Sequence, residues 1–147
     1  MHKVQRAITA GVASTTVMSM ALLIVDVQTR SELSLFDALA RFFGMPGRVG
    51  RGLLIFFFFG IVVWPLLFAL LFPYLPPQHD PAVKGMLLAT VLWIGFVLVG
   101  TAQIDTSVVL FYLAVTLLTH LAYGFTLGAV YNWTGQPPSP DTTDNRA

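Results

Sequence analysis

The sequence predicts an all-α integral membrane protein, a four-helix bundle with a short interfacial amphipathic helix between its first and second spans. Three observations predict it. Hydrophobic residues make up 56% of the 147 residues and charged residues only 10%, against about 25% charged in ordinary soluble domains. The apolar residues gather into four long runs of the roughly 20 residues that a helix needs to cross a bilayer core of about 30 Å. Backbone groups in lipid must be paired within their own segment, so these runs are helices rather than open strands.

The first span is Ala7–Val25, with Lys3 and Arg6 before it and Asp26 after it. Its basic start imitates a signal peptide, but its uncharged run is longer than a usual signal core, which reads as a span. The second, 52–72, follows Arg48 and Arg51 and contains Phe56-Phe57-Phe58-Phe59. Pro65 lies inside it and removes one backbone donor, which bends the helix. The third is Gly85–Ile104, behind Lys84, and the fourth is Thr106–Trp133. Together they form one transmembrane domain over residues 1–133, and the polar tail 134–147 is expected to be disordered.

The first loop has its own pattern. On a helical wheel, Leu33, Leu35, Phe36, Leu39, Ala40, Phe42 and Phe43 gather on one half, opposite Ser34, Asp37 and Arg41. Ser31 is the N-cap and Gly44-Met45-Pro46-Gly47 the stop signal. The spacing predicts a helix over 31–43 in the headgroup region, or docked on the bundle by its Phe-rich face. The second loop is Pro-rich. Its His79-Asp80 pair has no third ligand nearby and reads as solvated loop, since metals take three or four ligands. Asp105 is the expected N-cap of the fourth helix. Asn132-Trp133-Thr134 matches a glycosylation pattern but lies at the membrane surface, and reads as chance.

Net charge is +1, so no global field points to nucleic acid. The chain has no cysteine, which excludes disulfides and thiolate chemistry. Four basic residues fall on each side of the membrane, so the positive-inside rule ties. The first helix then sets the lean, toward a multi-pass protein of the cell membrane with both termini cytoplasmic.

Membrane helices associate through close packing and hydrogen bonds, because lipid supplies little hydrophobic drive. The first helix has Ala7, Gly11, Thr15 and Ser19 at steps of four. The fourth has Tyr112, Thr116, His120, Gly124, Gly128 and Asn132 at the same step. The spacing predicts that Gly11, Thr15 and Ser19 pack against Thr116, His120, Gly124 and Gly128, with a homodimer seam as the competing use. The second helix, richest in Phe, is the candidate for a lipid-facing surface or partner interface.

His120 stands 14 residues from Thr106 and 13 from Trp133, about 20 Å from either end at 1.5 Å per residue. An ionisable group at midplane is a candidate functional residue. Haem would need a second axial ligand at that depth, and His2 and His79 lie at the membrane edge. Proton relays string several acidic or basic groups together, and no Asp, Glu, Lys or Arg falls inside a span. The reading that needs fewest partners is a packing bond from a neutral imidazole to a carbonyl, or to Thr15, Thr16, Ser19 or Thr90. No nucleotide-binding, serine-hydrolase or zinc-protease motif is present, so no catalytic residue is assigned and no enzyme is expected.

The order of these features resembles a known group. Phe43-Gly44-Met45-Pro46-Gly47 is followed by Trp64-Pro65-Leu66-Leu67-Phe68-Ala69, by Lys84-Gly85-Met86 with Trp93, and by His120-Leu-Ala-Tyr123-Gly124-x-x-Leu127-Gly128-x-x-Tyr131. Over residues 5–133 this is similar to an uncharacterised family of small four-helix prokaryotic membrane proteins, well represented in haloarchaea and distantly YagU-like. The resemblance implies the architecture and no activity. Many of these relatives carry a histidine early in the second helix; Ile55–Phe59 has none here, which speaks against a paired-histidine site.

The expectation is therefore a non-enzymatic membrane protein, a structural or accessory subunit of a membrane complex such as a respiratory one. Its partners are the bilayer, other membrane subunits or a second copy, and no nucleic acid. The alternatives are a channel or carrier for a proton or neutral solute using His120, and a haem- or quinone-binding subunit.

Overall fold

The computed structural model describes residues 2–28, 40, 43–76, 80–100 and 106–136. Among them are four long helices: α1 (Lys3–Gln28), α2 (Val49–Leu71), α3 (Pro81–Gly100) and α4 (Thr106–Trp133). Each is long and apolar enough to cross a membrane. The protein is an all-α membrane bundle of four antiparallel spans.

The helices reach beyond the apolar runs that define them. α1 starts at Lys3 and ends at Gln28, since nothing in its polar flanks breaks a helix. α3 starts at Pro81, four residues before Gly85. Pro suits a first turn, and the Asp80 carboxylate accepts a 2.7 Å hydrogen bond from the Ala82 N–H, so the cap lies ahead of Lys84. Lys84 is thereby drawn into the helix and buried. Its ammonium sits over the Phe72 ring, 4.5 Å from the centroid. At the same end of the bundle the Arg6 guanidinium donates to the Tyr131 carbonyl from Nε at 3.2 Å and from Nη2 at 2.7 Å, and covers the Tyr131 ring. It satisfies a carbonyl in the last turn of α4, where positive charge also meets the negative end of the helix.

α4 is the spine. It packs along both α1 and α3, and α1 in turn packs on the middle and end of α2. α2 and α3 do not pack closely on one another, so the bundle closes as α3–α4–α1–α2 with a gap between its two ends. The main core holds Ala7 and Ala10 of α1, Phe68 of α2, Leu88 and Ala89 of α3, and Tyr123, Leu127 and Tyr131 of α4.

The packing stripes pair differently from their prediction. A Cβ on Gly124 would meet the Gly85 carbonyl and Ala89 Cβ, and one on Gly128 would meet Pro81 and Ala82. These two glycines face α3, not α1. Gly11 lies against the Ile61 carbonyl and the Pro65 ring, and Thr15 against Gly60, so this stripe faces α2. A stripe of four-residue steps drifts about 40° per step around its helix, from 3.6 residues per turn. Over five steps it leaves one neighbour for the next. α1 and α4 do pack, as expected, but with the alanines Ala7 and Ala10 beside Leu127 and Tyr131 in one cluster.

α2 is α-helical over Val49–Phe58, widens to a π-helix over Phe59–Val63, and resumes as α-helix over Trp64–Leu71. The expected disturbance by Pro65 thus takes the form of a π-bulge one turn ahead of it. Of the predicted interfacial helix at 31–43, residues 31–39, 41 and 42 lie outside the described residues. Ala40 is helical and packs on Gly52, and Phe43 stacks on Phe59 at 6.2 Å between centroids. Gly44 and Gly47 have φ of 70° and 72°, a left-handed backbone suited to glycine, and form the predicted stop. His79, Asp105 and the tail beyond Gln136 also lie outside the described residues.

Candidate functional site

The gap between α2 and α3 holds a cavity of about 460 Å³. All four helices line it. α1 contributes Met18 and Leu22; α2 contributes Phe56, Phe59, Gly60 and Trp64; α3 contributes Val91, Leu92, Gly95 and Phe96. α4 contributes Tyr112, Thr116, Thr119, His120 and Tyr123, and Phe43 ahead of α2 completes the lining. The wall is apolar and aromatic, and carries no charged side chain among the described residues.

His120 is in that wall. Its Nδ1 lies 2.7 Å from the Thr116 carbonyl, one turn back on the same helix. A carbonyl only accepts, so Nδ1 carries the proton. The expected bond to another helix is therefore not made: Thr16 and Thr90 bond carbonyls of their own helices, Val12 and Met86. Thr15 Oγ1 and Ser19 Oγ are buried without a hydrogen-bond partner. The geometric reason is proximity. A residue's own fourth-preceding carbonyl is always within reach, whereas Thr15 is turned toward Gly60. The His120 ring also tilts against Phe96, 5.7 Å between centroids.

A hydrogen-bonded strip supports the histidine. Thr116 Oγ1 donates to the Tyr112 carbonyl at 2.8 Å and accepts the Trp93 indole N–H from α3 at 3.1 Å. Thr119 Oγ1 donates to the Thr116 carbonyl at 2.9 Å, the same oxygen that takes His120 Nδ1. The imidazole is thus fixed from one side of its ring. Nε2, on the other side, makes no hydrogen bond to a described residue.

Tyr123 answers the π-bulge. The Trp64 N–H bonds to the carbonyl five residues back, Phe59. In that register the Gly60 carbonyl would take its hydrogen from residue 65, which is proline and has none. Tyr123 Oη donates to Gly60 O at 2.7 Å instead. An orphaned carbonyl in a bilayer costs too much to leave, and a tyrosine one turn beyond His120 on α4 supplies the missing donor. Gly60 is required for room as well, since a Cβ there would stand 2.6 Å from Thr15 Oγ1.

Of the residues predicted as a packing group, the structure brings Thr116 and His120 into the cavity wall, puts Gly124 and Gly128 on α3, and puts Gly11 and Thr15 on α2. Sequence reasoning missed Tyr123, Gly60 and Trp93 as a set. A signal was present for the first two: a proline inside an apolar helix leaves a carbonyl four or five residues earlier, and a tyrosine at matching depth can fill it.

Among the described residues no group of three or more histidines, cysteines or carboxylates is placed to hold a metal ion. No curated protein and no solved structure matches the chain. A family model described as a family of unknown function (DUF6789) matches residues 1–142. That match spans all four helices and every residue of the cavity wall, and the chain belongs to this family.

Proposed function

We propose that this protein is a non-enzymatic membrane protein that binds a small lipid-soluble molecule in the cavity beside His120. One observation carries the reading: an imidazole locked by Nδ1 into the wall of a cavity of about 460 Å³, with Nε2 left without a partner among the described residues. Sites for small molecules are clefts of about 300–1,000 Å³, mostly apolar, with a few placed polar groups. This cavity has that volume and that balance. Among the described residues the wall has no carboxylate or ammonium to continue a relay, so a proton path gains no support. The binding reading belongs with the quinone-type alternative, and it leaves the iron chemistry of haem aside.

An accessory-subunit role is compatible with this site. Leu54, Phe57, Phe58 and Leu70 of α2 all project outward, and face either lipid or a neighbouring membrane subunit.

The test is to isolate the protein in nanodiscs formed directly from its own membrane and analyse the solvent extract by mass spectrometry. A single small apolar compound should accompany the parent protein at close to one per chain. Gly95 belongs to the wall, and a Cβ added there meets nothing within 4 Å. Gly95→Trp should therefore plug the cavity with the fold intact, and the compound should be lost. An equal amount in the parent and the plugged variant, or none in either, contradicts the reading. Co-isolated subunits in the same discs would support the accessory role, and a lone chain would count against it.

A further inference from the structure

We infer that the molecule held beside His120 carries a hydroxyl group, as a phenol, a quinol or an apolar alcohol does, and that this hydroxyl donates to His120 Nε2. The inference rests on the binding proposal above and names the ligand chemistry that the same cavity selects.

Donors and acceptors around the imidazole decide which chemistry it takes. Nδ1 spends its hydrogen on the Thr116 carbonyl. With no carboxylate among the described residues of the wall to stabilise an imidazolium, the ring is taken as neutral, and Nε2 presents a lone pair and no hydrogen. Four side-chain donors around it are spent on protein oxygens. Thr119 donates to the Thr116 carbonyl, Thr116 to the Tyr112 carbonyl, Trp93 to Thr116 and Tyr123 to the Gly60 carbonyl. The polar feature that the imidazole offers an occupant is therefore an acceptor. A quinone, ketone or ether has only acceptors, and would set oxygen against the Nε2 lone pair. A hydroxyl supplies the missing hydrogen. It also accepts, which suits the Trp64 indole, a wall residue whose N–H makes no hydrogen bond to a described residue. The aromatic side chains around the cavity, Phe56, Phe59, Phe96 and Tyr112 among them, favour a ring on the occupant.

The experiment compares two molecules of nearly equal size on the parent protein in nanodiscs: 4-octylphenol and its methyl ether, 4-octylanisole, with 1,4-naphthoquinone as an acceptor-only ring. Bound compound is measured after gel filtration, against empty discs. The phenol should bind at one per chain and about tenfold more tightly than the ether or the quinone, equivalent to about 1.4 kcal/mol. His120→Phe should remove the preference and leave the apolar binding. Equal binding of phenol and ether, or tighter binding of the quinone, overturns the hydroxyl assignment while the cavity proposal stands. Failure of all three to bind overturns both. The ligand series on the parent protein decides the matter even where the variant does not fold.

Discussion

Replacing Gly124 by leucine should abolish the folded bundle, and even Gly124→Ala should cost about 1–3 kcal/mol, the range for overpacking a tight interface. The reason is the nature of the neighbour. A Cβ at this position meets the Gly85 carbonyl, stands 2.7 Å from the Gly85 carbonyl carbon and 2.6 Å from Ala89 Cβ. Backbone cannot rotate aside as a side chain can. α3 must move bodily away from α4, and the same displacement opens the contact of Gly128 with Pro81 and Ala82. In lipid, this close approach is much of what holds two helices together. Gly95→Ala is the control, because a Cβ there meets nothing within 4 Å, and it should leave stability within about 0.5 kcal/mol. Unfolding in detergent, followed by circular dichroism, measures all three. Equal stability of Gly124→Leu and parent would show that α3 and α4 do not meet at this seam.

The second large effect belongs to Tyr123. Tyr123→Phe removes only an oxygen, but it leaves the Gly60 carbonyl without its 2.7 Å donor. We expect a loss of about 1–2 kcal/mol, the cost of an unmatched buried polar group. A double-mutant cycle separates the tyrosine from the proline. The Gly60 carbonyl is free because residue 65 is proline. Pro65→Ala restores a backbone N–H in the turn that follows, so α2 can bond that carbonyl internally. In the Pro65→Ala background, Tyr123→Phe should then cost less than half as much. Contacting residues couple by about 0.5–3 kcal/mol in such cycles. The same loss in both backgrounds would show that the tyrosine and the proline are independent.

Much of this structure is legible in the sequence, and the limits have a physical pattern. Each span is visible because lipid demands a long apolar run and permits few exceptions. The depth of His120 follows from counting residues. The partners of the stripes do not follow. Gly11 and Gly124 mark surfaces where backbones approach, but a four-residue stripe says nothing about which backbone arrives. Here Pro65, with its ring and the Ile61 carbonyl beside it, takes the space over Gly11, and Gly85 takes the space over Gly124. The bond from Tyr123 to Gly60 joins residues 63 apart in the chain, so it depends on the helix order rather than on any local pattern. The cavity is least legible of all. It exists because α2 and α3 lie at the two ends of the packing order, and a void between two helices has no motif.

His120 itself changes its meaning between the two descriptions. As a midplane histidine in a glycine stripe it reads as a bond between helices. In the structure its bond runs to Thr116 of its own helix, and what faces outward is a lone pair. The residues around it then read as a support: Thr116 and Thr119 hold the ring, Trp93 ties that strip to α3, and Tyr123 keeps the π-bulge of α2 in place opposite.

If Nε2 of His120 is an open acceptor for an intramembrane ligand, nitrogen NMR of isotope-labelled histidine reads that acceptor itself. The chain has three histidines, so His120 is assigned by comparison with His120→Phe. The ring should be neutral, with the proton on Nδ1 and Nε2 unprotonated. The Nε2 resonance should shift in the direction of hydrogen bonding when 4-octylphenol is added, and should not respond to 4-octylanisole. A proton on Nε2 in the ligand-free protein, or an Nε2 resonance that ignores the phenol, would contradict it.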